Sequence, residues 1–437
     1  MEIFNSILYF LITILVLVVV HEFGHFIAAK IFGMRVETFS IGFPPRAFGI
    51  KIGETDYCIS WIPFGGYVKI AGIIDESMDT KFVESKPEPW EYRSKPVWQR
   101  MIVMSGGVIM NIILAIGIFW YLNFNYGAVE RPVNQIGFVT PNSIAERIGI
   151  KAEDKIISIN KNKIKNWDDI NLFLIDDFGS NATFEIQRDS QKINLEATGA
   201  FLADISKSPF GIYPSNTEAI VSSVMSGQPA ENIGLKANDV IIRINENLVF
   251  NEQQVIEHIR PNAKKEITIV WKRNEKILSS TVKPNEDGKI GIGLSSRYTG
   301  PVVKKSFSLT ASFERAFTNV FAAVNTFYTS IASLISGNIS FKESFGGPVK
   351  VAQMASQTAN NGLISFLAFI AFFSINLAVI NFLPIPALDG GHMVVLLIEM
   401  ITRKPLSFKT QMIIQKVGWY FLLALMIFVV VNDFLNL

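Results

Sequence analysis

The sequence predicts a polytopic α-helical membrane protein that carries a large repeated region between its second and third membrane spans. Three observations predict this class. Hydrophobic residues make up 49% of the 437-residue chain, with 35 Phe, which is more than a wholly soluble globule usually carries. Four separate stretches are long and apolar enough to cross a bilayer. The region between the second and third of them contains two similar segments.

The four predicted spans are approximately Phe4–Ile31, Val97–Leu122, Gly362–Leu383 with a continuation to about Met400, and Gln411–Val431. The third span is unusual because it contains the polar residues Ser374, Asn376 and Asn381, breaks at Pro384-Ile385-Pro386 and resumes at Leu388. A broken backbone at membrane depth is tolerated only where protein or a wet cavity satisfies its polar groups. This break therefore predicts a buried site.

The overall charge and the cysteine count exclude several classes. A net charge of +2 gives no support for nucleic-acid binding, so we expect no nucleic-acid partner. The single cysteine, Cys58, excludes any intrachain disulfide. The first apolar run lacks a basic leading segment and a small-residue cleavage site, so we do not interpret it as a removed signal peptide.

Basic residues predict the orientation. They occur in the loop after the first span and in the loop between the third and fourth, at Lys30, Arg35, Arg46, Lys51, Arg93, Lys95, Arg100, Arg403, Lys404 and Lys409. Both chain ends lack Lys and Arg. The positive-inside rule then places both loops in the cytoplasm, and both termini and the roughly 240 residues between spans two and three outside.

The first span carries the motif His21-Glu22-Phe23-Gly24-His25. On a helix, His21 and His25 share one face, so both imidazoles can bind one Zn²⁺ while Glu22 acts on a water molecule. The alternative is a pair of helix histidines that meet lipid headgroups. Ionisable residues within a span are costly and are retained mainly for function, so we favour a metal site.

The external region is duplicated. The pattern from Ala145 to Asn162 returns 85 residues later, from Ala230 to Asn247. Each copy predicts a short helix, a Gly turn, a strand of alternating Ile and a second helix, which is Trp167–Asp176 in the first copy and Asn251–Arg260 in the second.

Both copies resemble the PDZ domain, which binds extended peptide ends by adding a strand to a sheet edge. In the second copy we interpret Phe210-Gly211-Ile212 as the loop that receives a peptide C-terminus, and we find no equivalent loop in the first copy. The alternative for both copies is steric, as compact modules that occupy the space above the active site.

The motifs together identify a family. The H-E-x-x-H motif, Gly65-Gly66-Tyr67-Val68-Lys69, Gly106-Gly107-x-x-x-Asn111, Gly347-Pro348 and the segment from Asn376 to His392 resemble the site-2 protease family of intramembrane zinc metalloproteases. The four spans and the paired PDZ-like copies narrow the resemblance to its regulator-of-sigma-E protease branch. The resemblance covers nearly the whole chain.

The resemblance implies that His21, His25 and Asp389 bind Zn²⁺ and that Glu22 is the catalytic base. It also implies that Asn381 binds the substrate backbone. Asn376 is a further substrate-binding candidate, with an interhelical hydrogen bond as its alternative. His392 competes with Asp389 because positions i and i+3 share a helix face, but the Leu-Asp-Gly match favours Asp389.

The cytoplasmic segment from Val36 to Ile70 is apolar, and its alternation predicts strands. In the family this region resembles a β-hairpin that re-enters the membrane and contacts lipid. We expect Gly65, Gly66 and Tyr67 to bind substrate, because an edge strand that pairs with an unwound substrate offsets its lost helix hydrogen bonds. The amphipathic segment Phe313–Leu334 predicts a helix along the outer interface, or one packed under the repeats.

The predicted fold is thus four transmembrane helices with a re-entrant β-hairpin and two external α/β PDZ domains. The predicted domains are 1–35 (first span), 36–96 (hairpin region), 97–124 (second span), 125–205 and 206–300 (PDZ domains), 301–358 (interfacial helix region), 359–402 (broken third span) and 403–437 (fourth span).

The resemblance implies a bacterial inner-membrane zinc endopeptidase with periplasmic termini and PDZ domains and an active site toward the cytoplasmic side. Its expected substrate is a single-span anti-sigma factor already trimmed by another protease, in envelope stress signalling. Two alternatives stay open. One is a protease for signal-peptide remnants or peptide maturation, and the other is a non-enzymatic PDZ membrane adaptor. An intact Glu22 argues against the adaptor, because a structural metal site needs no base.

Overall fold

The computed structural model describes residues 2–73, 86–176, 181–198, 210–225, 227–335 and 347–435. The chain divides into two compact units. The membrane unit comprises Met1–Gly127 and Ser306–Leu437, and the repeat unit comprises Ala128–Lys305. The 205/206 boundary predicted between the repeats lies outside the described residues.

The helices, in chain order, are α1 (Glu2–Ile31), α2 (Val97–Tyr126), α3 (Ile144–Arg147), α4 (Trp167–Asp176), α5 (Pro229–Asn232), α6 (Glu252–Ile259), α7 (Leu309–Ile335), α8 (Pro348–Asn360), α9 (Leu363–Phe382), α10 (Asp389–Thr402) and α11 (Phe408–Leu435). Short 3₁₀ turns cover Tyr92–Ser94 and Arg260–Asn262.

The strands are β1 (Val36–Ile52), β2 (Thr55–Ile70), β3 (Ala128–Glu130), β4 (Ile136–Val139), β5 (Lys155–Ile159), β6 (Asn162–Lys163), β7 (Ala182–Arg188), β8 (Gln191–Ala197), β9 (Ile212–Pro214), β10 (Thr217–Val224), β11 (Val240–Ile244), β12 (Asn247–Leu248), β13 (Ile267–Arg273), β14 (Lys276–Val282), β15 (Ile292–Tyr298) and β16 (Val303–Lys305).

Four helices of the described residues are long and apolar enough to cross a membrane, as predicted. They lie in α1, α2, α9 and α11, over Phe4–Ile31, Val97–Tyr126, Leu363–Phe382 and Phe408–Asp433. The predicted continuation of the third span to about Met400 is a separate helix, α10, which begins after a break of six residues. Leu383, the first residue of the break, precedes Pro384 and is extended, as a residue before proline usually is.

The strands β1 and β2 form an antiparallel hairpin in which both strands bend. The first part of β1 pairs on one side with the end of β2, where Phe39 lies opposite Val68, and on the other side with the start of β2, where Phe39 lies opposite Tyr57. The last five residues of β2, Gly66–Ile70, therefore form one edge of a small sheet. The second half of β1 forms the other edge, where Phe48 lies opposite Ile59.

Helix α7 covers the amphipathic segment for which the sequence predicts a position along the outer interface. It packs lengthwise against α2 and α9, where Val320 shares a buried cluster with Ala115 and Ile375. Near its start, the Leu309 carbonyl accepts a hydrogen bond from Trp120 Nε1 at 3.1 Å. Small and β-branched side chains of α7 thus bury against two spans, whereas the sequence predicts a helix along the outer interface or one packed under the repeats.

The repeat unit has the duplicated architecture that the sequence predicts. The first repeat contains a sheet of order β6-β5-β7-β8 with helices α3 and α4, and the second contains a sheet of order β14-β13-β11-β10-β15 with helices α5 and α6. One ion pair occurs in both. Arg188 Nε donates to Asp154 at 2.7 Å, and 85 residues later Arg273 Nε donates to Asp239 at 2.6 Å.

The segment Phe210-Gly211-Ile212 belongs to the first repeat, so its assignment to the second is wrong. Phe210 is buried in the core of the first repeat, and β9 pairs with β4. The carbonyl oxygens of Phe210 and Gly211 accept from the N–H groups of Ala145 and Thr140. The reason is topological, because the strand that completes each repeat comes at the C-terminal end of that repeat.

The second repeat has its own loop of this kind, Ile290-Gly291-Ile292. The carbonyl oxygens of Ile290 and Gly291 accept from the N–H groups of Ala230 and Met225 at 2.9 and 2.8 Å, which repeats the pattern of the first copy. The expectation that one copy lacks this loop is therefore also wrong.

Candidate metal centre

Helix α1 places two histidines on one buried face, as their i, i+4 spacing predicts. The side chains of His21 and His25 are almost completely buried, and their Nε2 atoms lie 3.2 Å apart. The two rings stand nearly perpendicular, with an angle of 76° between their planes. Both Nε2 atoms therefore face one point beside the helix.

A third possible ligand, a carboxylate, lies directly after the break in the third span. Asp389 is the first residue of α10, and its Oδ2 lies 3.3 Å from His21 Nε2 and 3.4 Å from His25 Nε2. The two glycines after it let the start of α10 fold closely onto the break. A Cβ at Gly390 would lie 2.2 Å from the Leu383 carbonyl oxygen, and one at Gly391 would lie 2.4 Å from that of Ile385.

The three atoms fit a zinc ion. His21, His25 and Asp389 are the three-residue group in the described chain whose ligand atoms lie close enough to share a metal. Ligands at about 2.0–2.1 Å in a tetrahedron are separated by about 3.4 Å, which matches the observed triangle. Asp389 Oδ2 is buried and has no hydrogen-bond partner among the described residues. A cation held between the three ligand atoms would satisfy this oxygen.

Helix α2 contacts the far side of both imidazoles. His25 Nδ1 lies 2.8 Å from the Val103 carbonyl oxygen, which can only accept, so Nδ1 carries the proton and Nε2 presents its lone pair. His21 Nδ1 lies 3.3 Å from Nδ2 of Asn111, whose side chain is fully buried. The orientation of both rings is thus set by a neighbouring helix.

A cavity of about 720 Å³ opens onto these three residues. Glu22 also lines it, on the helix turn that carries His21. The β2 edge Gly66–Ile70 forms a continuous part of the wall. A Cβ at Gly66 would lie 3.3 Å from Glu22 Cγ, so the carboxylate-bearing side chain lies directly against this edge strand. The cavity therefore combines three possible metal ligands, a further carboxylate and the edge strand Gly66–Ile70.

The predicted substrate residues divide into two groups. Asn381 lines the cavity, and its Nδ2 lies 3.3 Å from His21 Nε2. Gly66 and Tyr67 line it as well. Within the described chain, Gly65 and Asn376 are not part of the cavity wall. Gly65 instead packs against the Phe43 ring, whose Cε2 atom would lie 2.1 Å from an added Cβ.

His392 lies outside the group of three ligand atoms. It lines the same cavity, and its Nε2 lies 3.1 Å from Nε2 of the buried Gln415 in α11. Of the two residues, Asp389 and not His392 lies in the group of three ligand atoms that are close enough to share a metal.

Some residues of the site were not found from the sequence. Val103 contributes only a backbone carbonyl, so no side-chain pattern could have indicated it. Trp419 and Gln415 reach the cavity from α11, which reads simply as an apolar span. Asn111 belongs to the Gly106-Gly107-x-x-x-Asn111 motif, and an amide in the middle of a span is costly, but no role for it was predicted.

The whole chain matches a known family. The model of peptidase family M50 matches residues 9–425. The chain belongs to peptidase family M50. It is 32% identical over 453 residues to the regulator of sigma E protease of Haemophilus influenzae, with 98% of each chain covered. It is 31% identical over 429 residues to a putative zinc metalloprotease of Clostridium perfringens, again with 98% of each covered.

Two further comparisons concern another relative and a solved structure. This chain is 31% identical over 468 residues to protease RseP of Yersinia pestis, with both chains fully covered. Among solved structures, the PDZ domain of an SdrC-like protein from Listeria monocytogenes shares 28% identity over 17% of this chain and 85% of its own. Its TM-score of 0.16 is too low to support a conclusion about the fold.

Membership of family M50 confirms several predictions. The protein is a zinc-dependent metalloendopeptidase of the membrane, and its described residues include four helices long and apolar enough to cross a bilayer. It is an inner-membrane protein, and its relatives act in sigma E regulation, which supports a function in envelope stress signalling. The adaptor alternative is thereby excluded.

Proposed function

We propose that His21, His25 and Asp389 bind the catalytic zinc ion and that Glu22 is the general base. The observation that carries this assignment is the triangle of three buried ligand atoms, separated by 3.2, 3.3 and 3.4 Å. Three protein ligands leave a fourth position open, which distinguishes a catalytic zinc site from a structural one. Glu22 shares the cavity with that position.

Zinc, when bound, supplies Lewis acidity and lowers the pKa of the attacking water. Glu22 accepts the proton from that water and passes it to the amine of the departing peptide. Val103 accepts the Nδ1–H of His25 and so leaves the Nε2 lone pair of that ring toward the cavity, and Asn111 contacts Nδ1 of His21. The side chain of Asn381 is close enough to donate its amide N–H to the substrate backbone beside the scissile bond.

The substrate segment binds in an extended form along the β2 edge. A transmembrane helix hides its amide groups in its own hydrogen bonds, so it must unwind before water can attack. The edge Gly66–Ile70 offers backbone groups to the unwound segment and thereby offsets the lost bonds. Its position along the cavity wall, beside Glu22 and Asp389, supports this arrangement.

The β1–β2 hairpin enters the membrane. The second half of β1 and the part of β2 opposite it expose large apolar side chains, with exposed fractions of 64% for Phe48, 70% for Ile50 and 72% for Trp61. The transfer of such side chains from water to lipid is favourable. The positive-inside rule supports a cytoplasmic origin for this hairpin and a periplasmic position for the repeat unit. The cut would then fall in the inner half of the bilayer, with a product released to the cytoplasm.

The substrate is a single-span protein of the anti-sigma type that another protease has already shortened outside the membrane. The names of the relatives from Haemophilus influenzae and Yersinia pestis support this class. The two repeats are PDZ modules that exclude substrates with a large external domain or bind their trimmed ends. The matching loops Phe210-Gly211-Ile212 and Ile290-Gly291-Ile292 support the PDZ interpretation for both copies.

The assignment of Glu22 is tested with Glu22→Gln in the full-length protein in detergent or in vesicles. Cleavage of a single-span reporter should fall by at least about 100-fold, as expected for loss of a general base, while the bound zinc stays at the wild-type ratio. His21→Ala and Asp389→Ala should lose both zinc and cleavage. Wild-type cleavage by Glu22→Gln, or full zinc binding by both ligand variants, would contradict the assignment.

A further inference from the structure

The buried amide of Asn111 has a chemical role that its position in an apolar helix does not explain. The residue is fully buried in the middle of α2. Its Nδ2 lies 3.3 Å from His21 Nδ1, and its Oδ1 has no hydrogen-bond partner among the described residues. An amide oxygen buried without a partner destabilises the folded chain. The site must therefore gain something from this side chain.

The position of the proton on the His21 ring determines which contact Asn111 has to make. A neutral imidazole carries one N–H, so a ring whose Nε2 lone pair binds a metal must carry its proton on Nδ1. Asp389 Oδ2 lies within 3.4 Å of both histidine Nε2 atoms, so the three atoms are close enough to share a metal. With Nε2 of His21 as a zinc ligand, the Nδ1–H of the same ring requires an acceptor.

We propose that Asn111 is a positioning residue whose Oδ1 accepts the Nδ1–H of His21 and so holds Nε2 toward the zinc. A half-turn of the amide exchanges Oδ1 and Nδ2, which have nearly the same shape, so the exchange needs no additional space. The oxygen that lacks a partner then receives the Nδ1–H. This inference rests on the proposed role of His21 as a zinc ligand.

The surrounding contacts fix Asn111 in place. The Ser374 hydroxyl in α9 donates a hydrogen bond to the backbone carbonyl oxygen of Asn111 at 2.8 Å, and both residues are fully buried. Gly107, one turn before Asn111 on the same face of α2, makes room for the ring, since a Cβ there would lie 2.4 Å from His21 Cε1. A glycine and an asparagine four residues apart thus fit the imidazole between them.

Helix α2 contacts the Nδ1 atom of each of the two histidines. His25 donates its Nδ1–H to the backbone carbonyl of Val103, two turns before Asn111. At His21 the group of α2 that faces Nδ1 is the Asn111 side chain, so here a side chain supplies the acceptor. Partners of metal-bound histidines commonly change metal affinity by 10–100-fold.

The test measures the zinc dissociation constant of the full-length, detergent-solubilised protein by competition with a chromophoric chelator. Asn111→Leu removes the acceptor at similar volume, and we expect zinc binding to weaken by about 10–100-fold. Asn111→Asp keeps an acceptor at the same place and should bind zinc within a few-fold of wild type. A structural role alone would not be rescued by this charged variant in an apolar helix.

Asn123→Leu is the matched control, because Asn123 is also a buried amide of α2 but contacts the Ser312 carbonyl, far from the site. It should bind zinc as wild type does. Wild-type affinity in Asn111→Leu, or an equal loss in Asn111→Asp, would overturn the proposal. If Asn111→Leu does not fold, as judged by thermal unfolding with zinc removed, Asn111→Ala replaces it with the same expectations.

His21→Ala separates this inference from the proposed function. If His21→Ala loses zinc and Asn111→Leu does not, only the positioning role is wrong. If His21→Ala binds zinc as wild type does, the ligand assignment itself is wrong.

Discussion

The backbone of Gly24 in α1 lies directly against the backbone of Gly106 in α2. A Cβ at Gly24 would lie 2.1 Å from the Gly106 carbonyl oxygen, and one at Gly106 would lie 2.6 Å from that of Gly24. Small residues allow membrane helices to approach this closely. Because His21 and His25 flank Gly24, this contact is what brings Val103 and Asn111 within hydrogen-bond reach of the two rings.

We therefore expect Gly24→Ala to disrupt the metal centre without altering any ligand. The added methyl group has to push α1 and α2 apart, and a displacement of about 1 Å can reduce the rate by about 100-fold. Both zinc affinity and reporter cleavage should fall. Gly117→Ala is the matched control on α2, since nothing lies within 4 Å of a Cβ there, and it should leave both unchanged.

A buried ion pair connects α2 to α10, the helix that begins with Asp389. Arg100 binds Glu399 through both guanidinium Nη atoms, with distances of 3.0 and 2.5 Å, and only 12% and 11% of the two side chains are exposed. The buried ring of Tyr92 lies beside the guanidinium, and burial raises the pKa of its phenol, which therefore stays neutral. The pair is thus largely shielded from water.

Breaking this pair on one side should destabilise the membrane unit strongly. Glu399→Leu leaves Arg100 buried and unpaired, which typically costs about 3–5 kcal/mol. The double variant Arg100→Met with Glu399→Leu removes both charges and should recover most of that loss. Thermal unfolding of the solubilised protein measures both. A double variant as unstable as the single one would contradict this account of the pair.

The sequence was sufficient for the features that depend on composition and short-range spacing. The four spans follow from apolar length, and His21 and His25 share a face because helical geometry requires it. Asp389 was found only through the resemblance of its motif to a family. No local pattern in the sequence could show that a break at Pro384–Pro386 returns the chain to α1.

The errors have a common physical cause, which is that they concern contacts between segments distant in sequence. Phe210 follows the first repeat, and only its burial against that repeat assigns it there. The amphipathic pattern of α7 is compatible with lipid headgroups and with neighbouring spans, and the packing of Val320 on Ala115 decides between them. Asn111 was visible as a costly residue, but its partner is 90 residues away.

The proposed edge strand predicts that a proline in β2 prevents cleavage. Tyr67→Pro removes a backbone N–H from β2 and bends the strand where it lines the cavity. Cleavage of the single-span reporter should be lost, while zinc binding, which uses no β2 residue, should stay at the wild-type level. Ile50→Pro is the control at the opposite edge of the same sheet, and it should retain cleavage.

A water-soluble, unstructured peptide containing the same cleavage sequence refines this prediction. Such a peptide has no helix to unwind, so it depends less on the edge strand, and Tyr67→Pro should impair its cleavage less than that of the reporter. Equal losses on both substrates would show that Tyr67→Pro damages the centre itself, and unchanged reporter cleavage would exclude the edge-strand role.

The ends of the repeat unit permit a clean test of substrate exclusion. Glu130 in β3 is paired with Val303 in β16, so the two chain ends that enter and leave the unit lie side by side. Residues 131–302 can then be replaced by an Asn-Gly turn, which connects two antiparallel strands without strain. If the repeats exclude large external domains, this variant should cleave both full-length and trimmed substrate. The intact protein should cleave only the trimmed form.

Because the membrane unit keeps all the proposed zinc ligands, zinc content serves as the folding control. A variant that binds zinc and cleaves trimmed substrate but leaves full-length substrate uncut would show that exclusion does not depend on the repeats.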